Sequence, residues 1–342
     1  MSGRRLGPNR IAVASLLTAA LWALPASADE VADFYRGKTI TLVVGAGPGG
    51  GFDLYARTLS QHMSKHLPGS PNIVLQFMPG AGSITATNYV YKVAPRDGSI
   101  FALPSQSVAL FQRLESGIRY DAAKMNWLGR MVSATGVLVV WHQAPATTLE
   151  EMKNREVIFG AHGKGQDTYF FPQLMNKLLG YKFKTVLGYP GSADVMHALE
   201  RGETHAYVYI WASLKSRQGA WLNEGKLIPF ANYSLETPAD RPDLPLVTDL
   251  ATDPDHKAIF EFFSSIATVG RSFATPPEVP RARVTALRKA FSETMTDPAF
   301  LADAKKRKMD IEPMAGEAIQ EVIAKTVATP EAVIDKAKAA LQ

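Results

Sequence analysis

Five glycines lie between Gly45 and Gly51, directly after the apolar run Thr39–Val44 and directly before Phe52 and Asp53. A strand that ends in a glycine loop and runs into a helix is a way to hold an anion. The first backbone N–H groups of a helix have no internal partners, and the helix dipole adds partial positive charge there. Glycine also lets a ligand reach the bare backbone. Gly47 to Gly51 are therefore the amides expected to face a ligand. Asp53 is a carboxylate beside that anion position. Two readings stay open for it: it caps the loop's N–H groups, or it orders waters and accepts a ligand hydroxyl or amine.

Other chemistries fail on specific residues. Gly45-Ala-Gly-Pro-Gly-Gly50 matches G-x-G-x-x-G, but a dinucleotide site needs an acid at the end of the next strand, and that strand ends Leu75-Gln76-Phe77. There is no G-x-x-x-x-G-K-[S/T] phosphate loop. His62 and His66 stand four apart, yet Met63 occupies the place where a zinc protease carries its glutamate. Both histidines are expected to face solvent. No metal site, cofactor or catalytic residue is assigned. No G-x-S-x-G elbow is present. Ser105, Ser107 and Ser192 sit in loops or at a helix start, where capping and donation to a ligand oxygen are both open. The chain has no cysteine, so it lacks thiolate ligands, disulfides and a thiol nucleophile. Lys305-Lys306-Arg307-Lys308 is expected to be a solvated helix face, and nucleic acid is not an expected partner.

These residues need a scaffold. Strand and helix patterns alternate, which implies an α/β fold with mainly parallel strands. The first block reads as strand Thr39–Val44, helix Asp53–Leu67, strand Asn72–Phe77, a second glycine loop Met78–Ser83, helix Ile84–Val93 and strand Ser99–Leu103. Their loops open on one edge of a sheet, where open α/β sheets bind ligands. A second block repeats the pattern, with strands Gly136–Trp141, Glu156–Ala161, Lys184–Leu187 and Thr204–Ile210, and helices Thr148–Asn154, Tyr169–Leu179 and Val195–Arg201. Thr147 or Thr148 is expected to cap the first of these helices. Phe263–Val269 reads as a strand, followed by helices Pro280–Thr296, Pro298–Lys308 and Gly316–Leu341 that are expected to pack back on the first block. The division expected is residues 29–134 plus 266–342 as one lobe and 135–265 as the other, with two crossings, near Leu128–Thr135 and Phe263–Arg271, as a hinge. Tyr169, Phe170, Phe171, Tyr189, Tyr207, Tyr209 and Trp211 crowd the second block's loop edge, either as core or as a cleft wall favouring a flat ligand body.

Residues 1–28 read as a secretory signal: Arg4, Arg5 and Arg10, an apolar run Ile11–Leu24, then Ala26-Ser27-Ala28 before Asp29. Cleavage there would remove three positive charges from a chain of formal net charge +5. No later segment is apolar for the roughly 18 residues a membrane span needs.

Lys38–Asp53 with Ala56-Arg57, Pro79-Gly-Ala-Gly82, Tyr89-Val90 and Ala94-Pro-Arg-Asp-Gly98 resemble the substrate-binding proteins of tripartite tricarboxylate transporters, the Bug or TctC-like family. Gly160–Gly165 resembles the family's glycine-serine loop, and Tyr189-Pro-Gly191 its Tyr-Lys-Gly-Gly segment. The resemblance implies a two-lobed, type II-like periplasmic binding protein, each lobe a mainly parallel sheet flanked by helices. It would be a periplasmic, monomeric receptor that closes on a small organic carboxylate, dicarboxylic or aromatic, and delivers it to transporter membrane subunits. A secreted hydrolase and a receptor for a membrane sensor are the alternatives. Carried over by motif, the ligand contacts are Gly47, Gly49, Gly50, Gly51, Phe52, Asp53, Ala81, Gly82, Ser105, Gln106, Ser107, His162, Gly163, Gly165, Gln166, Asp167, Thr168, Tyr189, Gly191, Ser192 and Tyr209. Lys164, Gln166 and Asp167 depart from the family's small and serine residues, and His205 replaces a common aspartate.

Overall fold

A computed structural model describes residue 3 and residues 26–48, 51–161, 166–189, 192–238 and 240–341. The expected signal segment lies almost wholly outside the described residues. Among the described residues, no helix is long and apolar enough to cross a membrane.

The chain forms strands β1 (Thr39–Val44), β2 (Asn72–Phe77), β3 (Ile100–Leu103) and β4 (Asn126–Arg130). It then forms β5 (Gly136–Trp141), β6 (Val157–Ala161), β7 (Phe183–Leu187), β8 (Ala206–Ile210) and β9 (Leu227–Asn232). It returns with β10 (Ser272–Thr275) and β11 (Met314–Ala315). Two sheets result, ordered β11-β4-β10-β3-β1-β2 and β7-β6-β8-β5-β9. Both are mixed. The strands that carry the loops, β2-β1-β3 and β7-β6-β8, pair in parallel, whereas β10 runs antiparallel to β3 and β4, and β5 runs antiparallel to β8 and β9. The fold is a two-lobed α/β arrangement.

The strand sequences explain why each sheet is covered twice. Successive side chains of a strand point to opposite faces. Ile40, Leu42 and Val44 of β1 join one core with Phe101 and Leu103, while Val43 joins another with Ile100 and Ala102. In the second sheet Leu138 and Val140 enter the core of Phe159 and Phe171, and Val137, Val139 and Trp141 enter that of Tyr207 and Tyr209. Helix Leu149–Asn154 begins with the expected cap: Thr148 accepts from the Glu151 amide at 3.3 Å, and Glu151 reaches back.

The sheets are mixed where mainly parallel ones were expected, because β4, β5, β9, β10 and β11 pair antiparallel around the parallel strands, and four further expectations change. Phe263–Val269 is the end of helix Pro254–Val269, because Asp253 caps its start and Pro254 is preset for its first turn. The strand at this crossing is β10, three residues later. Segment Trp211–Asn223 is a helix and Leu227–Asn232 a strand; neither was read from the sequence. Pro330 divides the last helical stretch, and Glu331–Leu341 packs on helices Asp167–Leu179 and Pro254–Val269 rather than on the first sheet. His62 and His66 do not face open solvent. Their Nε2 atoms lie 3.1 Å from Asp303 Oδ2 and 2.8 Å from Asp297 Oδ2, tying helix Gly51–Met63 and its following turn to Asp297 and helix Pro298–Lys306. Lys305 to Lys308 are all exposed.

Candidate functional site: a cleft between the lobes

The loops at the ends of β1, β2 and β3 meet the helix starts of the second sheet around a cavity of about 540 Å³. From the first lobe come Gly45, Ala46, Gly51, Phe52, Pro79, Gly80, Gly82, Ser83 and Ser105–Ser107. From the second come Gln166–Thr168, Ser192, Tyr207–Ile210, Ser213 and Arg217. The crossing contributes Ile266 and Arg271.

The first-lobe loops are locked to one another. Gly45 donates to Leu103 O at 3.0 Å, and Met78 donates to Val44 O at 2.9 Å. Ser83 sits in the left-handed region, φ 81°, and its Oγ accepts from the Ser105 amide at 3.1 Å. Gly45 is required by close approach: a β-carbon there would lie 1.8 Å from Ser83 Oγ. Ser105 Oγ in turn accepts from the Ser107 amide at 3.1 Å. The three loops thus form one unit.

The second-lobe wall is polar, and its one carboxylate among the described residues is held by hydrogen bonds. Asp167 Oδ2 accepts from Tyr233 Oη at 2.6 Å, and its Oδ1 from the Thr168 amide at 2.9 Å. Tyr233 is fully buried and stacks on Phe171 at 4.1 Å. Burial, and then the Asp167 carboxylate, hold its phenol well above the ordinary range, so it stays a donor. Ser192 Oγ lies 3.0 Å from Tyr207 Oη. Burial also raises Tyr207 and Tyr209, keeping both rings neutral.

Arg271 carries the positive charge on the wall. Its Nη1 donates to Gln106 Oε1 at 2.5 Å, and its guanidinium centre lies 4.1 Å from the Phe52 ring centroid. Burial pushes its pKa down, while Tyr55, Tyr233 and Asp167 push it back up. Arg217 adds a second, exposed guanidinium at the cleft.

Of the residues expected from the sequence, the cleft brings together Gly51, Phe52, Gly82, Ser105, Gln106, Ser107, Gln166, Asp167, Thr168, Ser192 and Tyr209. Gly47, Asp53, Ala81 and Tyr189 are not among its lining residues. Asp53 is buried and pairs with Arg57 Nε at 2.5 Å, which favours the ordering role over ligand contact. Tyr189 packs against the core of Val195 and Tyr207. Gly49, Gly50, His162, Gly163, Gly165 and Gly191 lie outside the described residues. Among the aromatic residues, Phe170 and Phe171 are core, while Tyr207 and Tyr209 reach the cleft. His205 accepts from the Ile158 amide at 3.1 Å through Nδ1, its backbone bonds to Ile158 and Trp141 on either side, and it does not line the cleft. Ser83, Phe111, Ser213, Arg217 and Arg271 line the cleft without having been read from the sequence. Among the described residues no group of carboxylates and histidines could hold a metal ion.

Residues 55–339 match the profile of the tripartite tricarboxylate transporter family receptor, TctC. The chain belongs to this family. A relative from Cupriavidus necator, the UPF0065 protein in the gbd 5′ region, is 26% identical over 337 residues, covering 93% of each chain. The solved structure of a TctC solute-binding protein from Polaromonas matches with a TM-score of 0.67 at 21% identity, covering 88% of this chain and 99% of that one. Another, the R. palustris protein Rpa4515 with adipate, matches with a TM-score of 0.61 at 21% identity, covering 88% of this chain and 97% of that one. These structures share the two-lobed fold described above. As a member of the TctC family, the chain is a solute-binding receptor.

Proposed function

We propose that the chain is a periplasmic receptor that binds a small organic carboxylate between its lobes and hands it to the membrane subunits of a tripartite transporter. One observation carries this reading. The first turns of helices Gly51–Met63, Asp167–Leu179, Ser192–Glu200 and Trp211–Asn223 all contribute to one cavity, through Gly51, Asp167, Ser192 and Ser213. Each helix start adds about half a positive charge, and two arginines stand in the same wall. The relative solved with adipate supports an acid as the ligand class.

In this mechanism the ligand enters between the lobes and its carboxylate meets helix amides, serine hydroxyls and guanidinium groups. Tyr207, Tyr209, Phe52 and Phe111 offer flat apolar surface to its body. Closure about the two crossings expels water and strengthens the charge-assisted hydrogen bonds. The division into residues 29–134 with 266–342 and residues 135–265 belongs to this proposal, with the last helix reaching across to the second lobe. So do export with cleavage after Ala28, and a monomeric state.

Native mass spectrometry of the purified chain, followed by calorimetry against a panel of mono-, di- and aromatic carboxylates, tests the proposal. A bound acid, released on unfolding, is the expected result. Binding of a sugar or a metal ion, with no acid bound, would refute it.

A further inference from the structure

Two arginines stand at the crossings between the lobes, and their surroundings differ. Arg130, at the end of β4, is 8% exposed. Its guanidinium donates to Thr268 O at 2.9 Å and to Glu312 O at 3.1 and 3.3 Å. That is a satisfied structural group. Arg271 is held differently. Gly270 turns the chain out of helix Pro254–Val269 with φ 46°, and a β-carbon there would lie 2.2 Å from Val132 O. Arg271 then exchanges backbone hydrogen bonds with the other crossing: its N–H to Val132 O and the Met131 N–H to its own O, both at 3.0 Å. The backbone is therefore fixed on the hinge while the side chain enters the cleft.

There the guanidinium is under-used. It has five N–H donors. Among the described residues it makes one hydrogen bond, to the neutral Gln106 amide, and its Nε is buried with no acceptor. No carboxylate among the described residues forms an ion pair with it; Asp167 acts on it only through its field, its oxygens being held by Tyr233 and by its own helix start. The Phe52 face and the Gln106 oxygen orient the group without neutralising it. A partly buried charge with neutral partners lowers stability unless a counter-ion arrives. Its position on the cavity wall names the direction from which one comes.

Building on the carboxylate-receptor reading, we propose that Arg271 forms the direct ion pair with the ligand's carboxylate, with Gln106 as the acceptor that orients its guanidinium toward the cleft. The planar fork matches a carboxylate and adds geometric selection to charge. Because Arg271 is pinned to both crossings, the ligand contacts the hinge itself as well as the jaws. Selection of an acid over its uncharged analogue then rests mainly on this residue.

Calorimetry with adipate, malate and benzoate as acids, and adipamide as the neutral probe, tests this on wild type, Arg271→Gln and Arg271→Lys. The wild type is expected to bind at least one acid and to reject adipamide. Arg271→Gln is expected to lose at least 30-fold in affinity for that acid and most of its preference over the amide. Arg271→Lys, which keeps the charge but not the fork, is expected to fall between. Weaker binding at higher salt in the wild type, flattened in Arg271→Gln, would add support. If Arg271→Gln does not fold, the Nε–H resonance missing from Arg271→Lys is followed in the wild type, where a shift at saturating acid is expected. A folded Arg271→Gln that binds the acid as the wild type does, or an Nε–H resonance unmoved by saturating acid, overturns the Arg271 assignment alone. A wild type that binds none of the acids overturns the carboxylate reading with it.

Discussion

Replacing Gly45 with alanine should unlock the first-lobe loops, and replacing Ser83 with glycine should relieve the clash that does so. The new β-carbon would lie 1.8 Å from Ser83 Oγ and 2.8 Å from Ser83 Cβ, whereas Leu103 O is 3.5 Å away. Carbon atoms pack at about 3.5–4.0 Å, so both Ser83 contacts are forbidden. The hydroxyl can rotate away, but it then abandons the Ser105 amide it accepts from at 3.1 Å. The Cβ can move only with its backbone. Overpacking of this kind costs about 1–3 kcal/mol, and an unsatisfied amide adds about 1 kcal/mol, giving a loss of about 2–4 kcal/mol for Gly45→Ala.

Ser83→Gly alone gives up the same acceptor, at about 1 kcal/mol, but relieves a non-glycine residue of a left-handed conformation worth about 1–2 kcal/mol. It should be nearly neutral. In its background the alanine at position 45 meets neither Oγ nor Cβ, so the double variant should lie within about 1 kcal/mol of Ser83→Gly, by removal of the overpacking term. Ser83→Ala keeps the Cβ and should rescue only in part. Urea unfolding of the four chains gives the coupling energy directly, and acid binding by the same chains shows whether the loops are restored. If Gly45→Ala costs as much with glycine at position 83 as with serine, the close approach is not what makes Gly45 necessary.

Tyr233→Phe removes the buried hydroxyl that donates to Asp167 at 2.6 Å, and should lower stability by about 1.5–3 kcal/mol with little change in fold, read by urea unfolding and near-ultraviolet circular dichroism. His205 should make the second lobe acid-sensitive. Its Nδ1 accepts from Ile158, and burial lowers its pKa, so the unfolded chain takes the proton first. Stability should therefore hold above about pH 6.5 and fall as pH drops below it; His205→Gln should flatten that slope in a pH series of thermal melts. Asp297→Asn should loosen the contact between helices, because Asp297 accepts from Lys65, His66 and the Ala299 amide, and it should show as faster hydrogen exchange around residues 62–66 and 298–306.

How much of this was legible in the sequence depends on how local the cause is. Short apolar runs rich in β-branched residues, such as Thr39–Val44 and Gly136–Trp141, favour a strand, so they were read with correct ends. The Thr148–Glu151 capping box was equally local. Phe263–Val269 was misread because a short apolar run suits a buried helix as well as a buried strand. What decided it was Asp253 capping the helix ten residues upstream. Trp211–Asn223 was missed for the opposite reason: its apolar residues do not gather on one side, and only Trp211 and Leu214 are buried. His62 and His66 looked like a surface pair because their partners, Asp303 and Asp297, lie more than 200 residues away.

The site divides in the same way. Gly51, Gly82, Ser105, Ser107, Ser192 and Asp167 advertise themselves, since loop chemistry and helix starts follow from residue type at short range, although the same rule also picked Gly47, which does not line the cleft. Arg271 does not. In sequence it is one basic residue between an apolar helix and an apolar strand, with no motif around it. Its importance comes from three distant facts meeting: a left-handed Gly270, pairing of the crossing with Met131 and Val132, and Gln106 and Phe52 arriving from separate loops. Asp53 shows the converse. It sits where the local pattern predicts conflict with an anion, yet Arg57 one turn later cancels its charge. The positive character of the cleft therefore comes from a hinge residue placed there by tertiary structure as well as from the helix starts that the loops feed.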